Sequence, residues 1–364
     1  MASVVGVIRG WGDSRALPGR AQEEQLHVLL PPGSRVAAVC LCATEAVVVV
    51  EREEEKFTVL GCRRSCSKTW VDLRKPQSDD DSEDHPLTAC IRLLPNRAVK
   101  LLCCNENENE MMVATFSDEL FVFNQHLNIH QMKKVVLPAQ GAVTKIAMGN
   151  SSTLFIQNRT AYMLQGADLQ AAAVAVAVAI PEGEGVTLDV AAGFDFCVLC
   201  TTTGHTYSWG SGLYGRLGQH DTRDRARPTL LQDLEGIGNL AAGKGVTLVS
   251  ASTWHAVAIT AGPENTNEIW TWGWGRFGQF GGDVKDKMLT SPTRVDEWQG
   301  GDEETILQVE TGPRHTAVLT AGGKVWVMGQ LGPSDAQPPP PPRVLTDIDH
   351  VRHISSFRWG LLMV

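Results

Sequence analysis

The chain has 364 residues, of which 43% are hydrophobic and 20% are charged, a composition that excludes disorder over the whole length. At ~150 residues per domain, this length predicts two or three domains unless a repeat architecture makes one large body. The formal net charge of −9 excludes sequence-independent binding of nucleic acid through bulk positive charge.

The sequence predicts neither a membrane span nor an export signal. Its longest apolar run, residues 171–180, is well short of the ~18 residues that a span requires. Arg9 interrupts the apolar residues near the N-terminus before a signal sequence can form. Nine cysteines are an odd number in a chain too large to depend on disulfides, which fits a reducing compartment. We therefore expect an intracellular protein of the nucleus or cytoplasm.

The predicted elements are short β-strands that recur in pairs. Each pair has a β-branched strand, a turn and a second strand, as in Val190-Ala-Ala-Gly-Phe-Asp followed by His205-Thr-Tyr-Ser-Trp-Gly. In chain order, the copies begin near residues 39, 102, 146, 190, 249, 309 and 354. Their mean spacing of about 52 residues predicts a unit of four strands rather than a helical repeat.

The last copy is too short to supply four strands before Val364. Near the other terminus, Gly6-Val-Ile-Arg-Gly-Trp-Gly resembles the strand at residues 204–210. We therefore predict that residues 1–20 complete the C-terminal sheet and close a ring. Closure of this kind removes the exposed sheet edges that would otherwise pair with another chain.

Glycine-rich segments follow the second strand of the clearest copies, as in Gly210-Ser-Gly-Leu-Tyr-Gly-Arg-Leu-Gly218 and Gly273-Trp-Gly-Arg-Phe-Gly-Gln-Phe-Gly281. No helical pattern follows them, so they do not form a phosphate-binding loop. These residues resemble the regulator of chromosome condensation repeat family, strongly over residues 186–332 and weakly over residues 36–165. The resemblance implies an all-β fold, a single seven-bladed β-propeller of four-stranded antiparallel blades over residues 1–364. Kelch propellers, the alternative, have a similar period but place their paired glycines differently.

Two segments interrupt the repeat. Residues 75–86 contain the acidic residues Asp79, Asp80, Asp81, Glu83 and Asp84, which predict a solvated loop or, alternatively, a contact for a basic partner. Residues 338–342 are five prolines. They predict an extended polyproline connector between the last two blades or, alternatively, a ligand for an aromatic groove.

No motif for hydrolytic or transfer catalysis is present, because no nucleophile, base and oxyanion site occur at a known spacing. Cys62 and Cys66, like Cys197 and Cys200, have nearly the spacing of zinc half-sites. Residues three apart on a strand point to opposite faces, so Cys197 and Cys200 do not hold one ion. We predict a protein without catalytic activity, cofactor or metal.

The resemblance implies two functions, both exercised on another protein: a regulatory scaffold, or guanine-nucleotide exchange on a Ran-like small GTPase. In the exchange factors of this family, acidic and histidine residues in the turns that enter the inner strands contact the GTPase. The candidate partner-binding residues here are Glu45, Asp195, Trp254, His255, Arg314 and His315. For the histidines, the alternative is a hydrogen bond to the loop backbone inside each blade. The expected partner is a Ran-like GTPase or a chromatin protein.

The family also includes a plant ultraviolet-B photoreceptor that absorbs light through clustered tryptophans. The matching turn positions here are Phe194, Thr253, Pro313 and Arg358. None of them is tryptophan, so the resemblance does not extend to that chromophore. We interpret Trp209, Trp272 and Trp326 as aromatic residues that pack the blades.

Overall fold

The computed structural model describes short strands between residues 3 and 72 and most of the chain from residue 99 onward. In the second part, the described residues are 99–105, 110–124, 132–165, 174–237, 245–261, 267–281, 288–296, 305–332, 340–345, 350–357 and 360–364. Glu45 belongs to a described strand, but its side chain lies outside the description, as do residues 75–86 with their acidic run.

Seven strands are described in the N-terminal region: β1 (Ser3–Val4), β2 (Val7–Arg9), β3 (Leu29–Leu30), β4 (Arg35–Leu41), β5 (Glu45–Arg52), β6 (Lys56–Arg63) and β7 (Val71–Asp72). The last four form one antiparallel sheet in chain order, and β1 pairs with β3. Four consecutive valines, residues 47–50, give β5 the β-branched composition that favours a strand.

Five successive four-stranded antiparallel sheets follow between residues 99 and 345. Their strands are β8 (Val99–Cys104), β9 (Glu110–Thr115), β10 (Leu120–Asn124) and β11 (Lys133–Lys134); β12 (Val143–Met148), β13 (Thr153–Gln157), β14 (Thr160–Gln165) and β15 (Val174–Ala177); β16 (Thr187–Ala192), β17 (Phe196–Thr201), β18 (Thr206–Gly210) and β19 (Arg225–Leu230); β20 (Val246–Ala251), β21 (His255–Ala261), β22 (Asn267–Trp274) and β23 (Met288–Arg294); β24 (Ile306–Thr311), β25 (His315–Thr320), β26 (Val325–Gly329) and β27 (Arg343–Leu345). In each sheet the strands are hydrogen-bonded in chain order. The predicted unit of four antiparallel strands is confirmed.

The C-terminal strands, β28 (Ile354–Phe357) and β29 (Gly360–Met363), form a three-stranded sheet with β2. In its register, Ile8 of β2 lies opposite Leu362 of β29. The first strands of successive sheets also contact one another, from β4 through β8, β12, β16, β20 and β24 to β28, and β28 in turn contacts β4.

A β-bulge recurs in the first strand of every four-stranded sheet, and in β16 and β24 a residue at the bulge bonds to the next sheet. In β16 this residue is Asp189, which accepts a hydrogen bond from the Val249 amide (3.1 Å) and pairs with Lys145 of the preceding sheet (3.0 Å). In β24 it is Gln308, whose amide group bonds the backbone of Ile354 at 2.7 and 3.1 Å. These contacts join successive sheets near their first strands.

The hydrophobic core consists of clusters that neighbouring sheets fill together. Alternate residues of a strand point to opposite faces, so β17 contributes to two clusters. Cys197 and Leu199 pack toward the sheet that precedes it, whereas Val198 and Cys200 pack toward the sheet that follows. Burial raises the pKa of the Cys197 thiol to about 12 and raises that of Cys200 as well. The two cysteines therefore lie on opposite faces as neutral thiols.

The proline run does not connect two blades as expected. Residues 340–342, the described part of the run, lead into β27, so the run lies between β26 and β27 of one sheet. An extended polyproline segment suits this place because it spans distance without backbone donors that need partners. Among the described residues, the only helices are single 3-10 turns at residues 213–215 and 232–234, and no helix has the length and apolar character needed to cross a membrane.

Candidate partner-binding site

Two kinds of connection meet at one end of the sheets. Because the strands are antiparallel and in chain order, the turn between the first and second strands lies at the same end as the connection between the third and fourth. We call this end the first-turn face. Asp195, Trp254 and Arg314 occupy the same position in the first turns of three successive sheets. Three of the candidate residues thus lie on one face.

The glycine-rich segments begin directly against these first turns. Gly210 is the last residue of β18 and Gly273 is the last but one of β22, and both have a φ of 103°. A Cβ at either position would lie 2.5 Å from a first-turn carbonyl oxygen, that of Asp195 or Trp254 respectively. Only glycine fits both the backbone conformation and the space. The two connections that follow, residues 211–219 and 274–281, are therefore held close to the first turns.

Arg216 fixes the first of these connections. Its side chain is 2% exposed and forms an ion pair with Asp195 (2.8 Å). The guanidinium also donates to the carbonyl of Thr253 (2.9 Å) in the next sheet and to the Ser211 hydroxyl (3.0 Å), and it lies 5.5 Å from the ring centroid of Phe196. One buried arginine therefore ties the connection to the first turns of two sheets.

Gln279 occupies the equivalent place in the second connection and is fully buried. Its amide nitrogen donates to the carbonyls of Trp274 and Pro313, both at 3.2 Å, and its oxygen accepts from the Phe277 amide (2.8 Å). Pro313 stands in its first turn where Thr253 stands in the preceding one. A neutral amide thus makes the same bond between sheets that a buried arginine makes one sheet earlier.

Four aromatic residues of these segments form a continuous cluster, which we call the aromatic surface: Tyr214, Trp254, Trp274 and Phe277. The ring centroids of Trp254 and Trp274 are 5.3 Å apart, and Tyr214 lies 5.6 Å from Trp254 and 5.8 Å from Trp274. Phe277 packs edge-on against Trp274 at 5.8 Å. Tyr214 is 39% exposed, and its φ of 60° is unusual for a residue other than glycine. Its backbone turns the ring outward.

Two arginines border the aromatic surface at Phe277. The guanidinium of Arg314 lies 4.2 Å from the Phe277 ring centroid, and that of Arg276 lies 6.0 Å from it. Arg276 is exposed and Arg314 is half-buried. Both guanidinium groups thus lie beside the Phe277 ring. The surface therefore combines apolar area with positive charge.

His255 and His315 do not belong to this surface, because both are fully buried. The Nε2 atoms bond hydroxyl groups of the following sheet, Thr316 at 2.8 Å for His255 and Ser356 at 3.1 Å for His315. Burial lowers the pKa of both imidazoles to about 3, so they are neutral near pH 7. A side chain without exposed area cannot contact a partner, so we remove both histidines from the partner-facing residues. Their bonds join sheets rather than closing a loop within one blade.

The bond of His255 continues to the second connection. The Thr316 hydroxyl donates to the carbonyl of Gln279 (2.9 Å), which leaves its oxygen to accept from the His255 Nε2. On the other side of the ring, Ser252 Oγ lies 3.3 Å from the His255 Nδ1. These hydrogen bonds connect His255 in β21, through Thr316, to the backbone of the second connection at Gln279. Phe196, which has no titratable group, occupies the position of His255 beneath the first connection.

Asp195, Trp254 and Arg314 were predicted from the sequence, but the other members of the site were not. The missed residues are Tyr214, Arg216, Trp274, Arg276, Phe277 and Gln279. Their signal was present, since the two glycine-rich segments carry an aromatic residue at the same place, Tyr214 in one and Phe277 in the other. Asp195 is 34% exposed, and its carboxylate neutralises Arg216. Within the described residues, no group of three or more potential ligands could hold a metal ion.

These sheets and connections define a β-propeller with four-stranded antiparallel blades. The family model of the regulator of chromosome condensation (RCC1) repeat matches residues 203–259 and 267–319, the part of the chain that carries both glycine-rich connections. The chain therefore carries the RCC1 repeat in residues 203–259 and 267–319.

The similarity to curated proteins covers part of each chain. The ultraviolet-B receptor UVR8 of Arabidopsis thaliana is 32% identical over 154 residues, which are 41% of this chain and 31% of the receptor. The human E3 ubiquitin-protein ligase HERC2 is 31% identical over 145 residues, which are 39% of this chain and 3% of the ligase. The match thus spans less than a third of either relative.

Two solved structures share the fold over nearly the whole chain. The crystal structure of human WBSCR16 aligns with a TM-score of 0.70 at 13% identity, covering 99% of this chain and 98% of that one. Prp20p from Saccharomyces cerevisiae, whose structure is described together with its binding to Gsp1p and histones, aligns with a TM-score of 0.66 at 13% identity and covers 99% and 91%. At this identity the likeness concerns the fold.

Proposed function

We propose that this chain is a non-catalytic interaction scaffold that binds a protein partner on its first-turn face, with the aromatic surface at the centre. The observation that carries the proposal is the outward placement of Tyr214 on Trp254 and Trp274. Tryptophan, tyrosine and arginine are the residues that most often dominate binding energy at protein interfaces. Strained backbone at an exposed aromatic residue is also typical of functional positions.

The site is built to be rigid before a partner arrives. Arg216 and Gln279 bond carbonyls in the first turns of the next sheets, so the aromatic rings are held by three sheets rather than by one flexible loop. A preformed surface lowers the ordering cost of association. The proposal therefore concerns recognition by a fixed face and needs no conformational change.

We also propose that seven blades form the ring and that the N-terminus closes it. The pairing of β2 with β29 supports this closure, as does the contact between β28 and β4. In this arrangement the N-terminal strand completes the last blade, which removes the exposed edge. We propose an intracellular location, in the nucleus or cytoplasm; the buried thiols of Cys197 and Cys200, which form no disulfide, are consistent with it.

The scaffold proposal is tested by quantitative affinity capture from cells with the full chain and two variants. Tyr214→Asn removes the ring while keeping a residue that tolerates a positive φ, and Trp254→Ala removes its neighbour. We expect specific partners to be lost from both variants. Phe116→Ala is the matched control, since Phe116 is 45% exposed in a turn at the opposite end of its sheet. Equal capture by all four proteins would contradict the proposal.

Nucleotide exchange on a Ran-like GTPase is the second candidate. It is favoured by the place of Asp195 on the first-turn face and by the fold shared with Prp20p, which is described as binding Gsp1p. Release of a fluorescent guanine nucleotide from Ran-like GTPases tests it directly. Acceleration by the wild-type chain would support exchange, and no acceleration at micromolar concentration would exclude it. If capture instead recovers a histone, a chromatin partner is supported.

Asp195 needs a control in that assay because it also has a structural role. Its carboxylate is the partner of buried Arg216, so Asp195→Ala is expected to lower stability by about 1–3 kcal/mol. Exchange is therefore compared at a temperature where urea unfolding shows both proteins to be folded. Loss of exchange in a fully folded Asp195→Ala variant would assign the carboxylate to the GTPase contact.

A further inference from the structure

We propose that β15 (Val174–Ala177) pairs edge to edge with β15 of a second copy of this chain and forms a closed two-fold dimer. The inference goes beyond the proposed partner binding, because the pairing uses the outer rim of the propeller instead of the first-turn face. Among the described strands, β15 forms a sheet with β14 on one side only. The first strands of successive sheets contact one another, so the fourth strands lie at the rim with their outer edges toward solvent.

The other fourth strands carry residues that oppose the addition of another strand. Charged residues on an outer strand disfavour pairing with a second chain. Each of the other fourth strands in the described four-stranded sheets contains at least one: Asp72 in β7, Lys133 and Lys134 in β11, Arg225 and Arg227 in β19, Arg294 in β23 and Arg343 in β27. The sequence of β15 is Val-Ala-Val-Ala, within the longest apolar run of the chain, residues 171–180. Among these strands, β15 alone has an edge without such protection.

The backbone of β15 directs hydrogen-bonding groups away from its own sheet. The Val178 amide donates to the Ala161 carbonyl at 2.9 Å, which continues the antiparallel pairing with β14 by one residue. In an antiparallel pair, alternate residues direct their amide and carbonyl groups at the neighbouring strand. The backbone groups of Ala177 and Ala179 therefore point away from β14, toward the rim.

The side chains along this edge are exposed as well. Val176 is 38% exposed, and Ala177 and Ala179 are also exposed. At the beginning of the strand, Val174 forms an isolated bridge with Val136. None of the described strands pairs with the outer side of the stretch from Val176 onward. This stretch is the part of the edge that a second chain can reach.

The alternating sequence is complementary to itself. A two-fold axis perpendicular to the sheet makes two copies of the strand antiparallel and keeps each face of the sheet on its own side. When Ala177 of one copy pairs with Ala179 of the second, Val178 lies opposite its own equivalent and Val176 lies opposite Ile180. Such β-branched pairs stabilise antiparallel sheets. A second copy meets this pattern by symmetry, so we commit to it rather than to a strand of another protein.

The pairing closes at two copies. Among the described fourth strands each copy has one unprotected edge, and an antiparallel pair leaves no equivalent edge for a third copy. Because the paired strands run in opposite directions, the first-turn face of one copy lies beside the opposite end of the other. The dimer therefore presents its two aromatic surfaces in opposite directions. A scaffold of this form can join two partner molecules.

Sedimentation velocity of the full chain measures the association. The paired stretch is short, so we expect a reversible monomer–dimer equilibrium with a Kd of about 1–100 µM. Hydrogen exchange below and above that concentration locates the interface, because the outward amides of Ala177 and Ala179 should exchange rapidly in the monomer and be protected in the dimer. A chain that stays monomeric, that forms open-ended assemblies, or that dimerises without protection of residues 174–180 would overturn the inference.

Two matched substitutions assign the dimer to this edge. Val176→Lys places a charge in the paired stretch and should raise the Kd of the dimer by at least about tenfold. Val186→Lys is the control, since Val186 is 37% exposed and lies in the connection from β15 to β16. Circular dichroism checks that both variants are folded. If the two folded variants dimerise equally well, the edge of β15 is not the interface.

The dimer and the aromatic surface are tested separately. Tyr214→Asn should change the Kd of the dimer by less than about twofold, because distant sites act independently. If it weakens the dimer as strongly as Val176→Lys does, the copies associate through the aromatic surface and the inference fails. A monomeric chain whose residues 174–180 become protected only with a captured partner would assign the edge to a strand of another protein and overturn the choice of a second copy.

Discussion

The two glycine-rich connections have the same backbone and the same bonds between sheets but use different side chains to make them. In residues 211–219 a buried arginine reaches the carbonyl of Thr253, and in residues 274–281 a buried amide reaches that of Pro313. The outward residues differ too, since the first connection exposes Leu213 beside Tyr214 and the second exposes Arg276 beside Phe277. The repeat therefore keeps a bond from each connection to the first turn of the next sheet, whereas the exposed residues differ between the two connections.

The largest expected difference between the two connections is their response to acid. His255 supports the second connection through Thr316, and Phe196 occupies its place beneath the first. The folded state holds the pKa of His255 and of His315 at about 3, against 6.5 for an unperturbed histidine. Between these values the unfolded chain binds protons that the folded chain does not, so stability is complete above pH 6.5 and falls as the pH falls.

From pH 7 to pH 5, this difference should lower the unfolding free energy by about 2 kcal/mol for each histidine. Urea unfolding at the two pH values measures it, and the double variant His255→Gln with His315→Gln should show a smaller loss. Hydrogen exchange at pH 5 should increase in residues 274–281 before it increases in residues 211–219. An equal pH dependence of the wild type and the double variant would refute the assigned role.

Among substitutions that remove these bonds between sheets, Arg216→Ala should lower the unfolding free energy most, by about 3 kcal/mol. It removes the charge that compensates Asp195 and the hydrogen bond that the guanidinium donates to the carbonyl of Thr253. A third of the Asp195 side chain reaches solvent, which weakens its interaction with Arg216 and limits the loss. Urea unfolding measures the loss. A variant as stable as the wild type would show that the arginine does not hold the connection.

Gln279→Ala should cost less, about 2 kcal/mol, because no charge is left uncompensated. It removes the donor to Pro313 and the acceptor for the Phe277 amide. Urea unfolding of Gln279→Ala beside Arg216→Ala compares the stability lost with a neutral side chain to that lost with a charged one. If Gln279→Ala proved the more destabilising of the two, the comparison between the connections would have to be reversed.

The smallest stability effect is expected at Tyr214, where Tyr214→Asn should change the unfolding free energy by less than about 0.5 kcal/mol. The ring is exposed and its φ of 60° suits asparagine as well as tyrosine. Phe277→Ala at the equivalent place should cost about 3 kcal/mol, since Phe277 is buried. Thermal unfolding of the two variants would show which aromatic residue supports the fold and which is available to a partner.

The strands could be predicted from the sequence because alternation and turn residues are local signals, as in the pair of β17 and β18. Trp254 and Arg314 could be placed on one face because they share a turn position. The burial of His255 could not, since it depends on Thr316 in the next sheet. The exposure of Tyr214 depends on its positive φ, which cannot be predicted from the residue type. Contacts between sheets join residues that are far apart in the sequence, so a local pattern does not predict them.

The most direct test of the central claim is hydrogen exchange on the full chain with and without a captured partner. We expect protection in residues 211–219, 252–254 and 274–281, the segments that carry the aromatic surface. Protection confined to the opposite end of the sheets, at residues 116–119 and 202–205, would contradict it and move the binding site to the other face.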